Sequence, residues 1–89
     1  MKKKDIIKEG RSKLEKIDAE IVGLLEKRFK ESKEIIDHKK KLGIKVYDPS
    51  RENEILKKLI HIKRKYLNDN ALYAIYERIL DESRRMRDE

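Results

Sequence analysis

The chain contains no cysteine and no tryptophan, and has only one proline and three glycines. Without thiols there is no disulfide scaffold, no thiol nucleophile and no Cys-based zinc site. So little glycine and proline excludes a collagen-like repeat or a Gly/Ser linker chain. No apolar run approaches the ~20 residues that span a bilayer. The lysines among the first ten residues have no apolar segment behind them, unlike a signal peptide. The expectation is a soluble, cytoplasmic protein with no membrane partner.

What the chain has in excess is charge. Charged residues make up 48% of its 89 residues, against a usual quarter, and 25 basic residues outweigh 18 acidic ones to leave a net +7. That balance attracts nucleic acid, acidic lipid or a small polycarboxylate without choosing among them. Residues 1–89 are expected to form a single domain. A chain this short buries only about 60% of its unfolded surface, so a lone monomer would be marginal.

Turn chemistry interrupts the chain twice. In the stretch from Leu42 to Pro49, Gly43 can end a helix, and Asp48-Pro49 reads as an N-cap followed by proline at the first helical position. Asn68-Asp69-Asn70 gathers short polar residues that favour turns and caps. Helical periodicity in the remaining segments predicts helices over about 5–42, 49–66 and 70–88. Strand-like alternation is confined to residues 44–47, so the class is all-α, a three-helix protomer with one very long N-terminal helix. About 37 residues at ~1.5 Å rise span roughly 55 Å, whereas a globule of this length is about 30 Å across. The first helix therefore projects from any monomer, and its apolar stripe needs a cover. An intertwined homodimer is the economical expectation.

Steps of three and four along the first helix pass through Arg11, Leu14, Asp18, Ile21, Leu25, Arg28, Ser32, Ile35 and Lys39. Such a seam is ordinarily apolar throughout. A single arginine on it reads as a snorkelling surface residue. Three cations in line with leucine and isoleucine instead ask for anionic partners, and Asp18 cannot serve them all. Arg28 and Lys39 are eleven residues apart, about 16 Å along the axis and within ~20° around it, so both can close on one ligand. Arg11 is about 25 Å from Arg28 along the helix, too far to join them from the same chain. In an antiparallel pairing of long helices it reaches the partner's site.

Asp48, Arg51 and Glu52 crowd the start of the second helix, where Glu52 heads the stripe Ile55, Leu59 and Tyr66. Carboxylates there suit the helix dipole, but Arg51 opposes it and needs another reason. On the third helix Leu72, Ile75, Tyr76 and Ile79 share a face that Ser83 and Arg87 continue. His38 and His61 stand among lysines, without partners at metal-ligand spacing. There is no Ser/His/Asp constellation, Gly-rich phosphate loop or HExxH motif. An enzyme built from these residues would use neither a nucleophile nor a metal, and no cofactor is expected.

Arg11 with Leu14, Ile17-Asp18, Leu24 to Arg28, Lys39, Leu42-Gly43 and Asp48 to Glu52 together resemble the all-helical (AroQ-type) chorismate mutases. The intervals fit without gaps from 11 to 52, and the likeness extends over about 10–87. The resemblance implies the chorismate mutase II fold and the Claisen rearrangement of chorismate to prephenate, on the route to phenylalanine and tyrosine. It further implies that Arg28 and, from the other subunit, Arg11 clamp two carboxylates, that Lys39 donates to the ether oxygen, and that Glu52 accepts from the ring hydroxyl. Asp48 would hold that loop, and Arg51 and Ser83 would complete the lining.

The chain departs from the family at Arg87, where many members carry glutamine and some glutamate. Arginine there is a permanent donor to the ether oxygen. Otherwise Arg87 points away and Arg84 or Met86 fills the space. Three other readings compete. An isochorismate pyruvate-lyase resembles the mutases but typically lacks the glutamate of the Arg51-Glu52 pair. A basic nucleic-acid-binding dimer would use Lys2-Lys3-Lys4, Lys39-Lys40-Lys41 and Lys63-Arg64-Lys65, yet there is neither helix-turn-helix spacing nor an aromatic stacking platform. An inert coiled-coil adaptor would gain stability from Arg28→Leu and Lys39→Leu. No dehydrogenase, dehydratase or amino-acid-sensing domain fits in 89 residues, so feedback regulation within them is not expected.

Overall fold

Helix-forming residues with no interior proline run unbroken from the N-terminus to the first turn signal. In the computed structural model, which describes residues 2–88, they form α1, Lys3–Leu42. Two further helices follow, α2 (Pro49–Ile60) and α3 (Asp69–Arg85), and a short 3₁₀ turn (Met86–Asp88). The described residues contain no strand. None of the helices is long and apolar enough to cross a membrane. The chain divides into two compact units, at Glu31 and Ser32.

The first unit is the N-terminal part of α1. None of its described residues is buried. Ile6, Ile7, Leu14, Ile17, Ile21, Val22 and Leu24 are each about half exposed, which leaves a long apolar stripe facing solvent in the single chain.

The second unit holds the end of α1, the linker, α2 and α3. Its core is small: Ile36 of α1 with Leu72 and Leu80 of α3. Gly43 stops α1 at φ 69, a left-handed conformation that costs glycine little. Its N–H donates to the Lys40 carbonyl and that of Ile44 to the Lys39 carbonyl, the paired bonds of a Schellman ending. Asp48 then caps α2, with Oδ1 accepting from the Arg51 N–H at 3.1 Å, and Pro49 occupies the first helical position. Asn68 does the same for α3 through the Ala71 N–H at 2.8 Å.

Two expectations need correction. The periodicity runs through 66, but α2 ends at Ile60. The cause is Arg64, whose guanidinium turns back to donate to the carbonyls of Ile60, Ile62 and Leu67 and to Asp69 Oδ1. The bonds to Ile60 and Ile62 satisfy carbonyls that a helix continued to 66 would have paired internally. Tyr66, expected on the α2 stripe, is instead 91% exposed in the connection. On α3 the buried face is carried by Leu72 and Leu80, and Ile75 lies exposed beside it.

The Arg64 side chain is 15% exposed, so its bonds form in a partly desolvated place. Arg64→Met should destabilise the fold by about 1–3 kcal/mol, because several carbonyls lose their donor together. Thermal unfolding followed by circular dichroism measures this, and an unchanged midpoint would show that the connection holds without the guanidinium.

Candidate active site

In the first unit, Arg11 is exposed and Arg28 half-buried. The other six expected site residues belong to the second unit, where polar side chains gather around the start of α2 and the end of α3. Glu52 sits in the first turn of α2 with its side chain 20% exposed. Its Oε1 accepts from Arg84 Nη1 at 2.5 Å. The second Arg84 nitrogen donates to Asp81 Oδ1 at 3.2 Å, one turn back on α3.

Tyr47 completes this cluster. Its ring lies 5.7 Å from the Arg84 guanidinium carbon and 5.9 Å from that of Arg87, within range of cation–π attraction. The hydrogen bond from Arg84 holds the Asp81 carboxyl below its ordinary value, against a desolvation effect in the opposite direction, and the charges of Arg85, Arg84 and Arg78 add to it. Reciprocally, the bond to Asp81 raises the pKa of Arg84, and the Glu52 charge supports it. The geometry sets one guanidinium fork between the side chains of Glu52 and Asp81.

Lys39 is half-buried, and its Nζ donates to the Val46 carbonyl at 3.4 Å. Lys40 beside it donates to the Arg87 carbonyl, tying the end of α1 to the 3₁₀ turn. Asp48 uses its carboxylate on the α2 cap. Arg51, unfavourable to the helix dipole, pairs through Nη1 with Glu54 Oε2 at 3.2 Å, which supplies the reason its position requires. Ser83 is half-buried on α3, and Arg87 is exposed.

An open cavity of about 590 Å³ lies between α2 and α3, lined by Tyr47, Glu52, Leu56, Leu80, Asp81 and Arg84 among others. Of the expected site residues in this unit, Glu52 is in that lining; Lys39, Asp48, Arg51, Ser83 and Arg87 are not. The structure thus joins Glu52, Arg84, Tyr47 and Arg87 through direct contacts, and turns the Arg51 side chain toward its own helix. No group of three or more potential metal ligands occurs among the described residues.

Sequence reasoning named Arg84 only as an alternative to Arg87 and passed over Asp81 and Tyr47. A signal was available for the first two, because Asp81 and Arg84 stand three apart on a helix, a spacing at which opposite charges meet. None was available for the Glu52–Arg84 pair, which is 32 residues apart in sequence.

The chain matches the family model for chorismate mutase type II over residues 10–88. A bifunctional chorismate mutase/prephenate dehydratase from Aquifex aeolicus (strain VF5) is 33% identical over 78 residues. That match covers 83% of this chain and 22% of the relative, so the chain spans about a fifth of that protein's length. Among solved structures, the form II chorismate mutase from Thermus thermophilus superposes with a TM-score of 0.89 at 26% identity, covering 93% of this chain and 94% of that one. The chorismate mutase from Helicobacter pylori, solved in complex with prephenate, gives a TM-score of 0.86 at 30% identity, covering 94% and 91%. The three-helix arrangement is that of these enzymes, and with its match running from just before Arg11 to past Arg87, the chain belongs to the chorismate mutase type II family.

Proposed function

We propose that this chain catalyses the Claisen rearrangement of chorismate to prephenate. The observation that carries the reading is the family match over 10–88, a range that includes Arg11, Arg28, Lys39, Asp48, Arg51 and Glu52, the residues on which the sequence resemblance rests. The prephenate held by the Helicobacter pylori relative supports the same substrate class.

The reaction is unimolecular: an ether C–O bond breaks as a C–C bond forms, with no nucleophile and no proton transfer. The protein's work is to hold a flexible dicarboxylate in a compact conformation and to stabilise charge on the departing oxygen. Arg28 and Arg11 of a second copy clamp the carboxylates, for which the guanidinium fork is suited. Lys39 donates to the ether oxygen, trading its long bond to the Val46 carbonyl for a charged acceptor. Glu52 accepts from the ring hydroxyl, and Asp48 keeps the first turn of α2 in place. Ser83 lines the ring, Arg51 joins it by exchanging its Glu54 partner for the substrate, and Arg87 supplies a further cation near the ether oxygen.

The second copy forms a homodimer. Its support is the stripe from Ile6 to Leu24, where seven large apolar side chains stand about half exposed in one chain. An interface is the ordinary fate of such a stripe.

Incubating the purified protein with chorismate, and separately with isochorismate, tests the proposal by product identification. Prephenate from chorismate is expected. Turnover of isochorismate alone, or of neither compound, would overturn the assignment.

A further inference from the structure

We propose that Arg84 is a positioning residue that holds the Glu52 carboxylate in the orientation needed to accept the substrate's ring hydroxyl. The inference rests on the function proposed above and goes beyond the residues that the family resemblance assigns.

The α2 helix offers Glu52 no cation of its own. Its neighbours at three and four residues are Ile55, Leu56, Pro49 and the capping Asp48, while Arg51 is paired with Glu54. A carboxylate that is only 20% exposed needs a partner, and α3 supplies it. Arg84 meets that need from an anchored position. Asp81 takes one nitrogen of the fork, and the guanidinium carbon stands 5.7 Å from the centre of the Tyr47 ring, within cation–π range. The other terminal nitrogen, Nη1, donates to Glu52 Oε1, so Oε2 is the oxygen turned to the hydroxyl donor.

A single ammonium could not hold two carboxylates in this fixed geometry, because the planar fork sets the angle between the two bonds. Glu52 is therefore oriented by a chain that runs Tyr47 and Asp81, then Arg84, then Glu52. Loss of Arg84 would leave the glutamate in place but free to rotate, and the cost would fall on the interaction it makes with substrate. A purely structural ion pair would lower stability without changing how much the hydroxyl matters.

The test compares chorismate with its analogue lacking the ring hydroxyl, on wild type, Arg84→Met, Glu52→Gln and the double variant. Arg84→Met should lower kcat/KM for chorismate by about tenfold while barely affecting the deoxy analogue, and the double variant should be no worse than Glu52→Gln alone. Equal losses on both substrates, or additive losses in the double variant, would overturn the inference; a direct contact between Arg84 and substrate would show itself that way. A wild-type chain that turns over neither substrate would overturn the function and this inference together, whereas an active wild type confines any failure to Arg84. If circular dichroism shows Arg84→Met to be unfolded, Arg84→Lys is read by the same comparison. It should show a smaller loss selective for the hydroxyl-bearing substrate, and an unselective loss would count against the proposal.

Discussion

Lys39→Ala is expected to lower kcat by about 10²–10³-fold, the cost of removing one preorganised donor from a developing oxyanion. The prediction follows from the proposed chemistry, in which charge appears on the ether oxygen only as the bond breaks. A donor aimed at that charge acts on the transition state more than on the ground state, so the loss should fall on kcat with KM little changed. The native Lys39 ammonium is half-buried and holds a 3.4 Å bond to the Val46 carbonyl, too long to be a strong competitor for the substrate. Truncation removes that one long bond and shortens a half-buried side chain on a helix that is capped independently at Gly43. Helicity should survive. Arg28→Ala should behave differently: loss of a carboxylate clamp weakens binding in both ground and transition states, raising KM as well as lowering kcat. Steady-state kinetics on folded variants separates the two patterns. Near-normal turnover in Lys39→Ala would remove the lysine from the mechanism.

Whether such residues are legible in sequence depends on how far their partners lie along the chain. The cap at Asp48 and the stop at Gly43 are local, since each is satisfied within five residues by backbone groups. Both could be read from residue type and order. The end of α2 could not. Residues 61–66 keep a spacing compatible with helix, and only the folded chain shows Arg64 reaching back to Ile60 and forward to Asp69. On α3, Leu80 rather than Ile75 shares the buried face with Leu72, a rotation that depends on what packs against the helix. The candidate site divides in the same manner. Lys39, Arg51 and Glu52 stand out because their charges break an apolar or dipole-favoured pattern. Arg84 breaks none: a basic residue near a helix C-terminus suits the dipole, so its contact with Glu52 has no local signature.

Mixing Arg11→Ala and Arg28→Ala protomers, each inactive alone, is expected to restore about a quarter of wild-type activity at equal concentrations. The arithmetic follows from a site that takes Arg28 from one chain and Arg11 from the other. Random reassortment makes half the dimers mixed, and each mixed dimer pairs an intact Arg28 with an intact Arg11 at one site while both losses fall on the second. The physical motive lies in α1. Its stripe from Ile6 to Leu24 is exposed in the single chain, and Arg11 lies on that exposed stretch, so a second copy that covers the stripe also receives the arginine. Exchange must be allowed to reach equilibrium, by mild denaturation and refolding of the mixture, because a long helical interface dissociates slowly. Wild type carried through the same treatment sets the scale. Recovery near a quarter would establish the shared site, whereas background activity after demonstrated exchange would place Arg11 and Arg28 in the same chain's site, or Arg11 outside it altogether.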